Sequence, residues 1–211
     1  MNDQRRLSAA VLTGGASRRM GTDKASISLG GMTLLERALA IVREVADEVF
    51  IVGDRPSYHR YGVRVESDAF PGAGTLGGIA TALRVASNPR VLVVACDMPL
   101  LSPELLKAMV ELPVKDDVVV PWLPVEHERQ GGKGTYETLH AIYRRDCLPH
   151  IERRIADGEL RVVGFFDDVR VRMLDEDWLR QYDPDLRSFR NANTPEELEI
   201  VRQLLVEEHV S

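Results

Sequence analysis

Short runs of β-branched and small apolar residues alternate with amphipathic stretches along this chain, and no other feature limits its fold as much. Residues 8–13 (SAAVLT), 48–53 (EVFIVG), 91–96 (VLVVAC) and 117–121 (DVVVP) read as strands. The first and third are apolar enough to lie buried on both faces, as strands of a parallel sheet do. Residues 33–46 place Leu35, Ala38, Leu39, Val42 and Ala46 along one helical face, and Thr33 with Glu36 supplies a capping box at its start. Ser102-Pro103-Glu104 opens a second helix with a hydroxyl cap, a proline at the first position and an acid in the first turn. Thr194-Pro195-Glu196-Glu197 repeats that signature ahead of a C-terminal helix expected to reach about His209. The expected fold is α/β: a single domain over residues 1–211, three-layered and Rossmann-like, its mostly parallel sheet covered by helices on both faces. Residues 122–137 break the rhythm. They are polar, carry RQGGKGT at 129–135, and are expected to form a mobile loop or a small excursion from the sheet.

Composition removes several functional classes. With 44% hydrophobic and 28% charged residues, the chain has enough apolar content for a core and is not of disordered type. Its net charge of −6 argues against a broad nucleic-acid surface, though not against a local basic pocket for a small polyphosphate. No apolar run approaches a membrane span, and the apolar stretch after Arg5-Arg6 is too short for a signal sequence, so the cytoplasm is expected. Cys96 and Cys147 stand alone, and the five histidines show no metal-binding spacing, which argues against disulfides and a structural metal.

Two loops carry the chemistry. After the first strand comes Leu12-Thr13-Gly14-Gly15-Ala16-Ser17-Arg18-Arg19-Met20-Gly21-Thr22-Asp23-Lys24. Paired glycines let backbone N–H groups approach an anion, and Arg19 and Lys24 are placed to neutralise it. The string matches neither the Walker A nor the GxGxxG pattern. After the third strand, Cys96-Asp97-Met98-Pro99 points an acid into the same crevice, where a hard oxygen ligand suits Mg²⁺. Asp68 follows the short strand VRVES, and the glycine-rich run Gly72–Gly78 opens a helix where backbone could approach a flat base. Cys96 reads as a small buried apolar residue. No histidine lies in 12–24 or 91–102, so neither loop offers an obvious general base.

These strings resemble the molybdenum cofactor guanylyltransferase family, within the glycosyltransferase-A-like nucleotidyltransferases. Residues 12–24 are similar to its LAGGxSxRMGxDK signature, and Cys96–Leu100 to its (C/A)D(M/T/Q)P element. Leu139–Tyr143 resembles its PLhAhY segment, and Asn191–Glu196 its NhNTPEDL turn, all in the family's order. The resemblance implies transfer of GMP from GTP to molybdopterin with release of pyrophosphate. It assigns catalytic roles to Arg19, Lys24 and Asp97, with Asp97 as the Mg²⁺ ligand. It assigns nucleotide contacts to Leu12, Thr13, Gly14, Gly15, Lys24, Asp54, Asp68, Gly77 and Asp97. His140, Asn191 and Asn193 fall on the acceptor side. Transient contacts with other cofactor-biosynthesis proteins or with recipient molybdoenzymes are the partners it implies. Three positions and one segment depart from the pattern: Thr13 for Ala, Thr138 for Pro, Asp54 for Asn, and Gly74-Thr75-Leu76-Gly77-Gly78 for GPLAG. The sister readings are a molybdopterin cytidylyltransferase and a sugar- or polyol-phosphate nucleotidyltransferase, and residues 72–78 should discriminate them. A non-catalytic nucleotide sensor of the same fold would not need to keep Lys24 and Asp97.

Overall fold

The computed structural model describes residues 5–14, 23–124 and 134–208. The first half runs β1 (Leu7–Leu12), a small hairpin of β2 (Ser28–Leu29) and β3 (Met32–Thr33), α1 (Leu34–Val42), β4 (Glu48–Val52), β5 (Arg64–Glu66) and α2 (Gly74–Val85). The second half runs β6 (Arg90–Ala95), α3 (Pro103–Glu111), β7 (Val118–Leu123), β8 (Thr135–Tyr136), β9 (His140–Arg144), α4 (Leu148–Ala156), β10 (Val171–Leu174), α5 (Glu176–Leu179) and α6 (Pro195–Glu208).

The main sheet has the order β10-β7-β9-β6-β1-β4-β5, with β8 added to β7. β1 pairs in parallel with β4 and β6, and β4 with β5. β9 runs antiparallel to both β6 and β7, so the sheet is mixed on one side. The ends of the 122–137 excursion are strand: Trp122 pairs with Tyr136 and Leu123 with Thr135. Residues 125–133 lie outside the described residues.

Side-chain alternation along the strands gives the sheet two buried faces. Ala9, Val11, Ile51, Leu92 and Val94 pack with Leu35 and Leu39 of α1 and Leu105 and Met109 of α3. Ala10, Phe50, Val91 and Val93 pack with Leu76, Ile79 and Leu83 of α2 and Ile151 of α4. This is the expected three-layer arrangement. α6 forms a satellite cluster, seating Val201 and Leu205 against Leu29, Leu34 and Leu100.

The caps form as the sequence implies. Thr33 Oγ1 accepts the Glu36 N–H at 3.1 Å, and the Glu36 carboxylate accepts the Thr33 N–H at 2.6 Å. That backbone bond to Thr33 holds the Glu36 carboxyl below its ordinary range. α1 ends at Val42 rather than at 46, because Arg43–Ala46 turn toward β4. Ser102 accepts the Leu105 N–H to begin α3. Among the described residues no helix is long and apolar enough to cross a membrane.

Candidate active site

The loops leaving the carboxyl ends of β1, β4, β5 and β6 meet at one end of the sheet's strands. The chain steps outward from β1 to β4 and β5, then returns to the other side of β1 as β6. In an open parallel sheet, that reversal opens a ligand crevice.

One arm of the crevice is a cavity of about 570 Å³, a size that suits a nucleoside. Leu12, Thr13 and Gly14 form one wall, and Gly53, Asp54, Arg55 and Tyr58 another. Asp68, the 71–75 loop, Gly78 and Leu139 complete it. Thr13 is fixed because its N–H and its hydroxyl both donate to the Val52 carbonyl, at 3.0 and 3.1 Å. A side chain at Gly53 would collide with the Thr13 hydroxyl, so glycine there follows from threonine at 13. The Asp68 carboxylate accepts the Phe70 N–H at 2.9 Å and the Thr81 hydroxyl at 3.0 Å, shaping the turn into α2. Asp54 in turn accepts the Asp68 N–H at 3.3 Å.

Gly77 corrects the sequence expectation. It does not line the cavity: a Cβ there would stand 2.8 Å from the Phe70 carbonyl oxygen, inside the protein. Gly78, one residue on, faces the cavity, against the end of the Leu12 side chain.

The other arm is polar. Lys24 Nζ donates to Asn193 Oδ1 at 2.5 Å and stands 3.7 Å from Asp97 Oδ2. The Asp97 carbonyl accepts the Ala192 N–H at 2.9 Å, which seats the 191–193 turn on the exit of β6. Glu197 in the first turn of α6 accepts the N–H groups of Asn193 (2.6 Å) and Thr194 (3.2 Å). Burial raises the Asp97 carboxyl, and the neighbouring Lys24 ammonium opposes that shift.

Asp97 keeps an open side, with 24% of its side chain exposed. Among the described residues no group of three acids, histidines or cysteines forms a cage for a metal. A partly open carboxylate beside the Lys24 ammonium fits Mg²⁺, which takes few protein ligands and completes its shell with phosphate and water.

Asp23 and Tyr58, not singled out in the sequence, also belong here. The Tyr58 hydroxyl donates to Asp23 Oδ1 at 2.9 Å, and Asp23 caps the 3₁₀ turn Lys24–Ser26. The available signal was the position of Asp23, directly before Lys24.

His140 is a second correction. It has no exposed surface, its ring packs 4.9 Å from that of Phe189, and neither ring nitrogen has a partner. Buried in β9, it cannot touch an acceptor. Asn191 is half-buried in the turn beside Asn193. Cys96 is buried, and burial pushes its thiol well up, as suits an inert core residue. Gly15 and Arg19 lie outside the described residues.

The chain is 35% identical over 206 residues to "Probable molybdenum cofactor guanylyltransferase" of Natranaerobius thermophilus, covering 94% of this chain and 96% of that one. It is similar to the crystal structure of molybdopterin-guanine dinucleotide biosynthesis protein A from Archaeoglobus fulgidus, with TM-score 0.78, 27% identity and coverage of 95% and 99%. Its fold also matches the crystal structure of 4-diphosphocytidyl-2C-methyl-D-erythritol synthase from Anaerococcus prevotii, with TM-score 0.70, 18% identity and coverage of 96% and 97%. The family model described as "MobA-like NTP transferase domain" matches residues 9–169, most of the crevice included, and the chain therefore belongs to the MobA-like NTP transferase family.

Proposed function

We propose that this chain transfers GMP from GTP to molybdopterin, releasing pyrophosphate; the relatives named molybdenum cofactor guanylyltransferase and molybdopterin-guanine dinucleotide biosynthesis protein A support the guanylyl transfer. The observation that carries the reading is the polar cluster beside a nucleoside-sized cavity: one lysine between Asp97 and Asn193. GTP would enter with its nucleoside against Leu12–Gly14, Asp54 and Asp68, and its triphosphate directed at Lys24. The acceptor would approach from the Asn191–Asn193 turn. Asp97 would hold Mg²⁺, which when bound neutralises and orients phosphate oxygens. An acceptor phosphate oxygen attacks the α-phosphorus, the bond to pyrophosphate breaks, and Lys24 offsets the charge that develops. A phosphate monoester has a second pKa near 6, so the nucleophile is already dianionic at neutral pH. No protein base is needed. The reading places the enzyme in the cytoplasm, in transient contact with the proteins that supply or receive its cofactor.

The test is incubation of the protein with molybdopterin, Mg²⁺ and each of GTP, CTP, ATP and UTP, with products identified by mass. A guanine dinucleotide of molybdopterin together with pyrophosphate is the expected result. Product with CTP alone would establish the cytidylyltransferase alternative, and product with none would overturn the proposal.

A further inference from the structure

Asp23 sits between two parts of the site that transfer requires in register. Its carboxylate accepts the Ala25 N–H at 3.3 Å and the Ser26 hydroxyl at 3.0 Å, which shapes the short turn carrying Lys24. The same carboxylate accepts the Tyr58 hydroxyl at 2.9 Å, and Arg55 Nε lies 3.6 Å from it. Tyr58 and Arg55 both line the nucleoside cavity. Tyr58 is only 2% exposed and packs against Gly53, and its hydroxyl, turned away from solvent, lies between Asp23 and the Thr13 side chain.

Lysine is a point charge on a flexible four-carbon stem, and its base turn is only three residues long. Such a turn holds its cation in place only as well as it is itself anchored. A cap alone needs the bonds to Ala25 and Ser26. The bond to Tyr58 adds nothing to the cap; it fixes the turn to the wall of the cavity that Gly53, Arg55 and Tyr58 form.

We infer that Asp23 and Tyr58 form a positioning pair that ties the nucleoside cavity to Lys24, setting the ammonium at the distance of a triphosphate. This rests on the reading of Lys24 as a phosphate ligand given above. Neither residue touches the reacting atoms; both act through Lys24.

The test compares calorimetric affinities for guanosine and for GTP in the wild type and in Tyr58→Phe, which removes one oxygen and keeps the ring. Guanosine affinity should stay within about twofold, while GTP affinity falls about tenfold, because the ammonium is no longer held in register with the triphosphate. Asp23→Asn, which weakens the link from its other end, should show the same split. In a Lys24→Ala background, Tyr58→Phe should change GTP affinity by less than about twofold, because the group it positions is gone. Tyr61→Phe, whose hydroxyl lies against Thr33, is the control and should leave both affinities unchanged. An equal loss for both ligands would make Tyr58 a wall residue only, and no loss for either would make Asp23 a cap only. Each result overturns the pair. A wild type that binds GTP more tightly than guanosine yet forms no dinucleotide would instead overturn the proposed reaction and leave the pair standing.

Discussion

Replacing His140 by leucine should make the protein less sensitive to acid. The ring is fully buried, and burial holds its pKa at about 4 against an ordinary 6.5, with the Asp183 charge pulling weakly the other way. As pH falls through 6.5 the unfolded chain takes up a proton there, whereas the folded chain does so only near 4. Between those values the unfolded state binds more protons, so stability is lost as pH falls, by about 1.4 kcal/mol per unit. From pH 7 to pH 5 that amounts to about 2 kcal/mol from this one ring. For a chain of this size it corresponds to a Tm drop of roughly 4–8 °C. Leucine has nearly the same volume and removes two ring nitrogens that have no partner. The variant should therefore match or exceed wild type at pH 7 and gain about 2 kcal/mol on it by pH 5. The assay is urea unfolding of both proteins at pH 5, 6 and 7. Other buried acids, Asp97 and Glu137 among them, titrate in both proteins and cancel in the difference. Stability curves that run parallel across that range would show that His140 finds a partner, and the reasoning would fail.

Lys24→Ala should lower kcat/KM by roughly 10²–10³ with an unchanged Tm, read by steady-state kinetics and thermal melting. Asp97→Asn should raise the Mg²⁺ concentration for half-maximal activity by about tenfold or more, checked by Mg²⁺ titration against wild type. Adjacent glycines should behave oppositely. Gly77→Ala, pressed on the Phe70 carbonyl, should lower Tm, while Gly78→Ala, meeting only the tip of Leu12, should leave Tm and weaken nucleotide binding. The pH–rate profile of kcat/KM should rise with one ionisation near 6 and then stay flat to about pH 8. A histidine variant that abolishes that limb would show a protein base.

What could be read from the chain follows how local each signal is. The Thr33–Glu36 box and the Ser102 cap depend on residues three apart, and both form as written. The buried strands 91–96 and 8–13 announce themselves because both of their faces are covered. The direction of β9 was not legible, since Leu139–Tyr143 carries the same alternation whichever way it pairs. Gly77 and Gly78 are indistinguishable as letters; which of them faces the cavity is set by the phase of α2 against Phe70. His140 stands in a string that resembles a functional motif, yet its place on the sheet turns it inward. Tyr58 carried no signal because its partner, Asp23, lies 35 positions away.

The contact between Lys24 and Asn193 spans 169 positions, and Asn193 is held there by the first turn of α6. That turn stays in place only once Val201 and Leu205 have docked on Leu29, Leu34 and Leu100. At synthesis rates of ~5–20 residues per second, roughly ten to thirty seconds separate the making of the two partners. The strands β1, β4, β5 and β6, with α1 and α2, are complete long before then. A chain still on the ribosome can therefore hold a finished cavity beside an unfinished polar cluster, and it acquires the second only with α6.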